Sequence, residues 1–150
     1  MVPVEALITA GSIAVAVVIA VYQLRKQRED RRIQHTVELL ARTFDDGPVY
    51  RARREVRSWI IAGREITDDE VAPAEDDVIA TTLNYYDFLA SLVLSDSLDL
   101  DVVSQTFAGV MRRDTNYLRG YIDARRIRAG RPNLYRNLEI VCNDWFQHAD

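Results

Sequence analysis

A single cysteine, Cys142, and a single lysine, Lys26, occur among 150 residues. One cysteine excludes an internal disulfide and fits a reducing compartment. It lies in LEIVCNDWF at helical apolar spacing, with no histidine in a compatible motif, so it reads as a small buried hydrophobe rather than a nucleophile. His35 and His148 lie more than a hundred positions apart with no acidic or cysteine companion at ligand spacing, which supports neither a zinc site nor a catalytic dyad. The six glycines form no G-x-G-x-x-G and no G-x-x-x-x-G-K-S/T, leaving a Rossmann or P-loop assignment nothing to rest on. No alternating apolar pattern supports a strand. We therefore expect no cofactor, no metal and no catalytic residue.

Charge is also missing from one long stretch. From Ala6 to Leu24 there is no Asp, Glu, Lys or Arg, and the run ends abruptly at Arg25, Lys26, Arg28, Arg31 and Arg32. Nineteen residues of helix rise roughly 28 Å, close to the ~30 Å hydrocarbon core of a bilayer. The polar members Thr9, Ser12 and Gln23 either bond back to a helix carbonyl or sit at the interface, and Tyr22 suits the aromatic belt. A cleaved signal peptide would want basic residues before the run and a small-x-small site after it, and neither is present. An interfacial helix would need a polar face. The sequence predicts one transmembrane helix, with residues 1–28 as anchor and basic flank and residues 29–150 as a helical domain. The one-sided basic cluster places the N-terminus outside and the domain in the cytoplasm, at a bacterial inner membrane, with those five cations on the anionic leaflet. Ser12, Ala16 and Ala20 recur every four residues, a spacing that lets two such helices approach closely.

The remaining chain is enough for one modest domain. Its formal net charge of −4 argues against nucleic acid as a partner, yet the charge is laid out in blocks. Residues 25–64 hold eleven basic against six acidic side chains, residues 65–111 hold eleven acidic and no basic ones, and residues 112–136 hold eight arginines against Asp114 and Asp123. Pairing of these blocks inside the fold is the simplest account, and a docking surface is the other.

Periodicity then gives a small bundle of about four to five helices. Ile33, Val37, Leu40 and Phe44 form one stripe on a helix that continues out of the span without Gly or Pro until Gly47-Pro48. A second helix follows an acidic cap and Pro48, burying Val49, Ala52, Val56, Trp59 and Ile60, carrying Arg51, Arg53, Arg54 and Arg57 on the other side, and stopping at Gly63. Thr67 to Glu70 reads as a capping box within a linker. Pro73 opens a third helix through Ile79, Leu83, Tyr86, Ala90 and Val93, the expected centre of the core. A fourth, capped by Asp99 or Asp101, runs through Val103, Phe107, Val110, Met111, Leu118 and Ile122. After Gly130 and Pro132, a last helix aligns Leu134, Leu138, Val141 and Trp145.

The third helix contains Asn84, Tyr85, Tyr86 and Asp87, polar groups that need partners if buried, and these are the candidate core-specifying or interaction residues. Asn84, beside Leu83 and Tyr86, is expected to bond to a neighbouring helix. The span with its basic exit, the N-Y-Y-D-F-L-A motif from Asn84 to Ala90 and the closing L-Y-x-N-L-x-x-x-x-x-x-W helix resemble bacterial proteins of domain-of-unknown-function family 4760. That resemblance implies an anchored helical architecture and carries no catalytic residue.

Two function classes stay open. The leading one is a single-pass interaction module that binds a membrane or cytoplasmic protein, or itself, with no small-molecule substrate evident. The alternative is a membrane-associated metal-dependent hydrolase built on carboxylates of the acidic block, Asp87 with Asp96 or Asp99.

Overall fold

The computed structural model describes the backbone of residues 4–66 and 71–145, and within it the side chains from Val17 onward apart from Phe44 and Trp145. Six helices account for the described residues: α1 (Val4–Phe44), α2 (Pro48–Ile61), α3 (Pro73–Leu94), α4 (Leu100–Tyr117), α5 (Arg119–Ala129) and α6 (Arg136–Trp145), with no strand among them. The all-helical class is as the periodicity predicts, and the helix count is higher. The expected fourth helix is broken at Leu118, whose φ of −90° and ψ of 9° leave the helical region. The break redirects the chain so that Tyr121, on α5, reaches Asp76 at the start of α3.

Loop chemistry sets the other boundaries. Pro48 opens α2 behind an extended Gly47, and no side chain caps that end, contrary to the acidic cap expected there. At its far end Gly63 adopts a φ of +65°, Gly63 N–H donates to the Ile60 carbonyl and Arg64 N–H to that of Trp59, a closure that glycine adopts without strain. The end of α3 closes with the same bonds, from Asp96 N–H to Val93 and from Ser97 N–H to Leu92, with Asp96 itself at a φ of +56°. Glu75 reaches back to the Ala72 N–H at 3.2 Å, the half of a capping box that an alanine at the cap position permits. Residues 67–70, read as a capping box from sequence, lie outside the described residues.

α3 is the spine. Its core positions Ile79, Leu83, Tyr86, Leu89 and Ala90 are fully buried, and α2, α4 and α6 pack on it. Thr43 of α1 bonds Tyr85, and Arg32, eleven residues earlier, pairs with Asp96 just beyond the end of α3. Arg53 of α2 bonds Tyr86, and Arg64 pairs with Glu75 at the start of α3. α2 thus runs antiparallel to α3, while α1 packs on α4 and α2 and reaches α3 through these side chains. α4 starts beside Thr36, where Asp99 N–H donates to the threonine hydroxyl at 2.8 Å, and runs in the same direction as α1 to Tyr117, which bonds the Arg64 carbonyl at 2.6 Å.

The α1 stripe is rotated from the expected one. Thr36, Leu40 and Thr43 are buried, while Ile33 and Val37 are exposed. Each threonine hydroxyl donates to the carbonyl four residues back, at 2.7 Å for Thr36 and 3.2 Å for Thr43, and then meets a partner on another element. A β-branched residue whose only polar group is satisfied in this way packs in a core as an apolar residue would.

The apolar run and the first domain helix are continuous, as expected, in the 41-residue α1. Among the described residues no helix is long and apolar enough to cross a membrane. The predicted span at residues 6–24 lies in large part outside the described side chains, as do Ser12 and Ala16 of the small-residue stripe.

Candidate functional site

The polar motif in the middle of α3, Asn84 to Asp87, is largely built into the fold. Tyr86 is fully buried; its hydroxyl donates to Asp114 Oδ2 at 2.7 Å and accepts from Arg53 Nε at 3.0 Å. Burial, reinforced by the Asp114 charge, pushes this phenol far above its ordinary range, so it remains a hydrogen-bond donor at any physiological pH. Tyr85 is half-buried against the Thr43 hydroxyl. Asp87 Oδ1 accepts the Leu138 N–H at 3.0 Å. Leu138 is the third residue of α6, so a side chain from α3 satisfies one of the N–H groups that a helix start leaves open. Asn84 differs from the expectation. It is exposed and makes no bond to a neighbouring helix among the described residues, because the face it shares with Phe88 looks outward.

Nor are the carboxylates proposed for a metal brought together. Asp87 serves α6, whereas Asp96 and Asp99 meet at the two ends of the Arg32 guanidinium, at 2.5 and 3.2 Å. Asp99 Oδ1 also accepts the Val102 N–H as the cap of α4. Among the described residues no group of three or more His, Cys, Asp or Glu side chains is placed to hold a metal ion.

Two arginine-lined clefts remain. The first, of about 570 Å³, lies between the C-terminal half of α1 and the α3–α4 turn, and is lined by Arg25, Arg28, Arg31, Arg32, His35 and Asp96 among others. Arg25, Lys26, Arg28 and Arg31 are exposed. Arg32, grouped with them from sequence, is instead half-buried and holds α1 to the acidic turn.

The second cleft, of about 360 Å³, lies between α2 and α4 and is lined by Tyr50, Arg53, Arg54, Arg57, Val110, Arg113 and Asp114. Its floor is pre-set. Arg53 is fixed by Tyr86 and stacked over Phe107, its guanidinium carbon 4.6 Å from the ring centre. Arg113 donates through Nε and a terminal nitrogen to Asp114 Oδ1, at 2.9 and 2.7 Å. Both oxygens of the buried Asp114 are therefore occupied, one by Arg113 and one by Tyr86. At the rim, Arg54 and Arg57 are exposed and make no ion pair among the described residues.

Sequence reasoning missed this cleft, although one signal was available. Phe107, Met111, Asp114 and Leu118 recur at helical spacing, so Asp114 occupies a core position of α4 and had to find buried donors. A parallel arrangement joins Tyr121, Asp76 and Arg125: the Tyr121 hydroxyl donates to Asp76 at 2.5 Å, and Arg125 donates to the same oxygen at 3.1 Å.

With known proteins, the chain compares as follows. The family described as "Domain of unknown function (DUF4760)" matches residues 10–145. No curated protein and no solved structure matches it.

Proposed function

Because the chain belongs to the DUF4760 family over nearly its whole length, a family without an assigned activity, we propose its function from its own architecture: a single-pass, membrane-anchored helical interaction module. The observation that carries this reading is the continuity of α1. One helix bears the uncharged run in its N-terminal half and, in its C-terminal half, the residues Arg32, Thr36, Leu40 and Thr43 that tie it to the domain. Between the two lie Arg25, Lys26, Arg28 and Arg31, all exposed. Such a helix transmits position rigidly from bilayer to domain, with its cations on the anionic leaflet. The domain faces the cytoplasm of a bacterial cell, where it binds a protein partner or a second copy. Support for docking comes from the exposed Ile33 and Val37 on α1, which the fold does not consume.

The test is fractionation combined with reporter fusions in the native membrane. The protein should resist carbonate extraction, with an N-terminal reporter active outside and a C-terminal one active in the cytoplasm. Release by carbonate, or the reverse reporter pattern, would refute the reading.

A further inference from the structure

We propose that the cleft between α2 and α4 is a binding site for the phosphate dianion of a soluble ligand. Four guanidinium groups, Arg53, Arg54, Arg57 and Arg113, converge on it against one carboxylate, Asp114, whose two oxygens are already taken. The lining therefore carries a surplus of three positive charges. Such a surplus is matched by a dianion better than by a single carboxylate, and planar guanidinium forks suit the three terminal oxygens of a phosphate monoester. Its volume of about 360 Å³ falls within the span of small-ligand sites, about 300–1,000 Å³.

The geometry is also pre-organised. Arg53 is held by its Nε bond to Tyr86 and its stack on Phe107, and Arg113 by its fork on Asp114, so the two floor cations pay little ordering cost when an anion arrives. Arg54 and Arg57 line its rim. A floor formed by the buried Asp114 favours a compact group over an extended acidic peptide.

Position argues for a soluble ligand over a lipid headgroup, on the reading that α1 is anchored. Arg53 bonds Tyr86, whose neighbour Tyr85 meets Thr43 of α1. Nineteen residues separate Leu24, the end of the apolar run, from Thr43, which along a helix is about 28 Å. The cleft therefore lies well beyond headgroup reach when α1 stands along the membrane normal.

The test uses the full chain in neutral-lipid nanodiscs at fixed chloride, titrated with inorganic phosphate and with pyrophosphate by calorimetry and by thermal melting. We expect saturable binding that raises the melting midpoint. An Arg54→Gln/Arg57→Gln variant should melt at the wild-type temperature without ligand and bind about tenfold or more weakly, the scale of one lost charge-assisted hydrogen bond. Arg51→Gln, exposed on α2 but outside the cleft, should bind as wild type does. Absence of saturable binding, or equal weakening by Arg51→Gln, would overturn the site. Phosphate binding that disappears when phosphatidylglycerol replaces the neutral lipid would assign the cleft to a headgroup and overturn the soluble ligand. Failure of the anchor itself would show in carbonate extraction and would leave the titration unaffected.

Discussion

At the scale of single residues, neighbouring positions on α3 differ sharply in what they contribute. Leu83 is fully buried in the centre of the core, and Leu83→Ala should cost about 2–5 kcal/mol in urea unfolding. Asn84 is exposed, so Asn84→Ala should stay within about 0.5 kcal/mol of wild type. Asp87→Ala leaves the start of α6 without the acceptor for Leu138 and should cost about 1 kcal/mol, the ordinary worth of a helix cap. The cysteine was legible. Burial pushes the Cys142 thiol up to about 11, so the native protein should react with thiol reagents at pH 8 far more slowly than the denatured chain. Asn84 was misread because a polar residue next to apolar ones on a helix can point either way, and the hundred-degree step from Leu83 carries it out of the core.

At the scale of elements, the stripes of α2 and α3 could be read directly, since Ala52, Val56 and Trp59, and Ile79, Leu83 and Tyr86, are apolar by type and buried in fact. α1 could not. Its buried face includes Thr36 and Thr43, which count as polar until their bonds to the carbonyls four residues back are known. The Leu118 break was equally hidden, because the apolar period of α4 runs through it into Ile122. The pairing of charge blocks was visible in outline, as Arg32 with Asp99, Arg64 with Glu75 and Arg125 with Asp76 show.

Within this layer, Arg126 clamps α5 to α6 through Glu139 and also holds the Leu134 carbonyl. The Arg126 guanidinium holds the Glu139 carboxyl below its ordinary range. A carboxyl depressed in the folded state contributes stability that is present above its unfolded pKa and is lost as pH falls through the folded one. Glu139→Gln should therefore destabilise the protein at pH 7, and the gap between variant and wild type in urea midpoints should close as the pH is lowered through that value.

For the whole molecule, the arginine cleft shows where one-dimensional reading stops. Arg53 and Arg113 are sixty positions apart in sequence, and only the packing of α2 against α4, with Tyr86 of α3 beneath, brings them to one cleft. By contrast the uncharged run with its basic exit, on which the proposed anchor rests, is a contiguous signal and needs no tertiary contact to be read. On the proposed anchoring, its consequence is an ordered axis: lipid, exposed cations, the Arg32–Asp99 joint, and then the cleft. Removing the joint should loosen α1 on the domain without unfolding it, since Thr36, Leu40 and Thr43 still hold the end of the helix. In Arg32→Ala, α2 to α6 should keep their helical signal while protease cleavage between residues 25 and 45 becomes faster.

That axis is tested most directly by accessibility to a membrane-impermeant maleimide in intact cells, with Cys142 replaced by serine and single cysteines placed at Val2 and His35 in turn. Cysteine at position 2 should label in intact cells, and cysteine at position 35 only after the membrane is opened. Labelling of both positions in intact cells, or of position 35 alone, would contradict an anchored helix that delivers its domain to the cytoplasm.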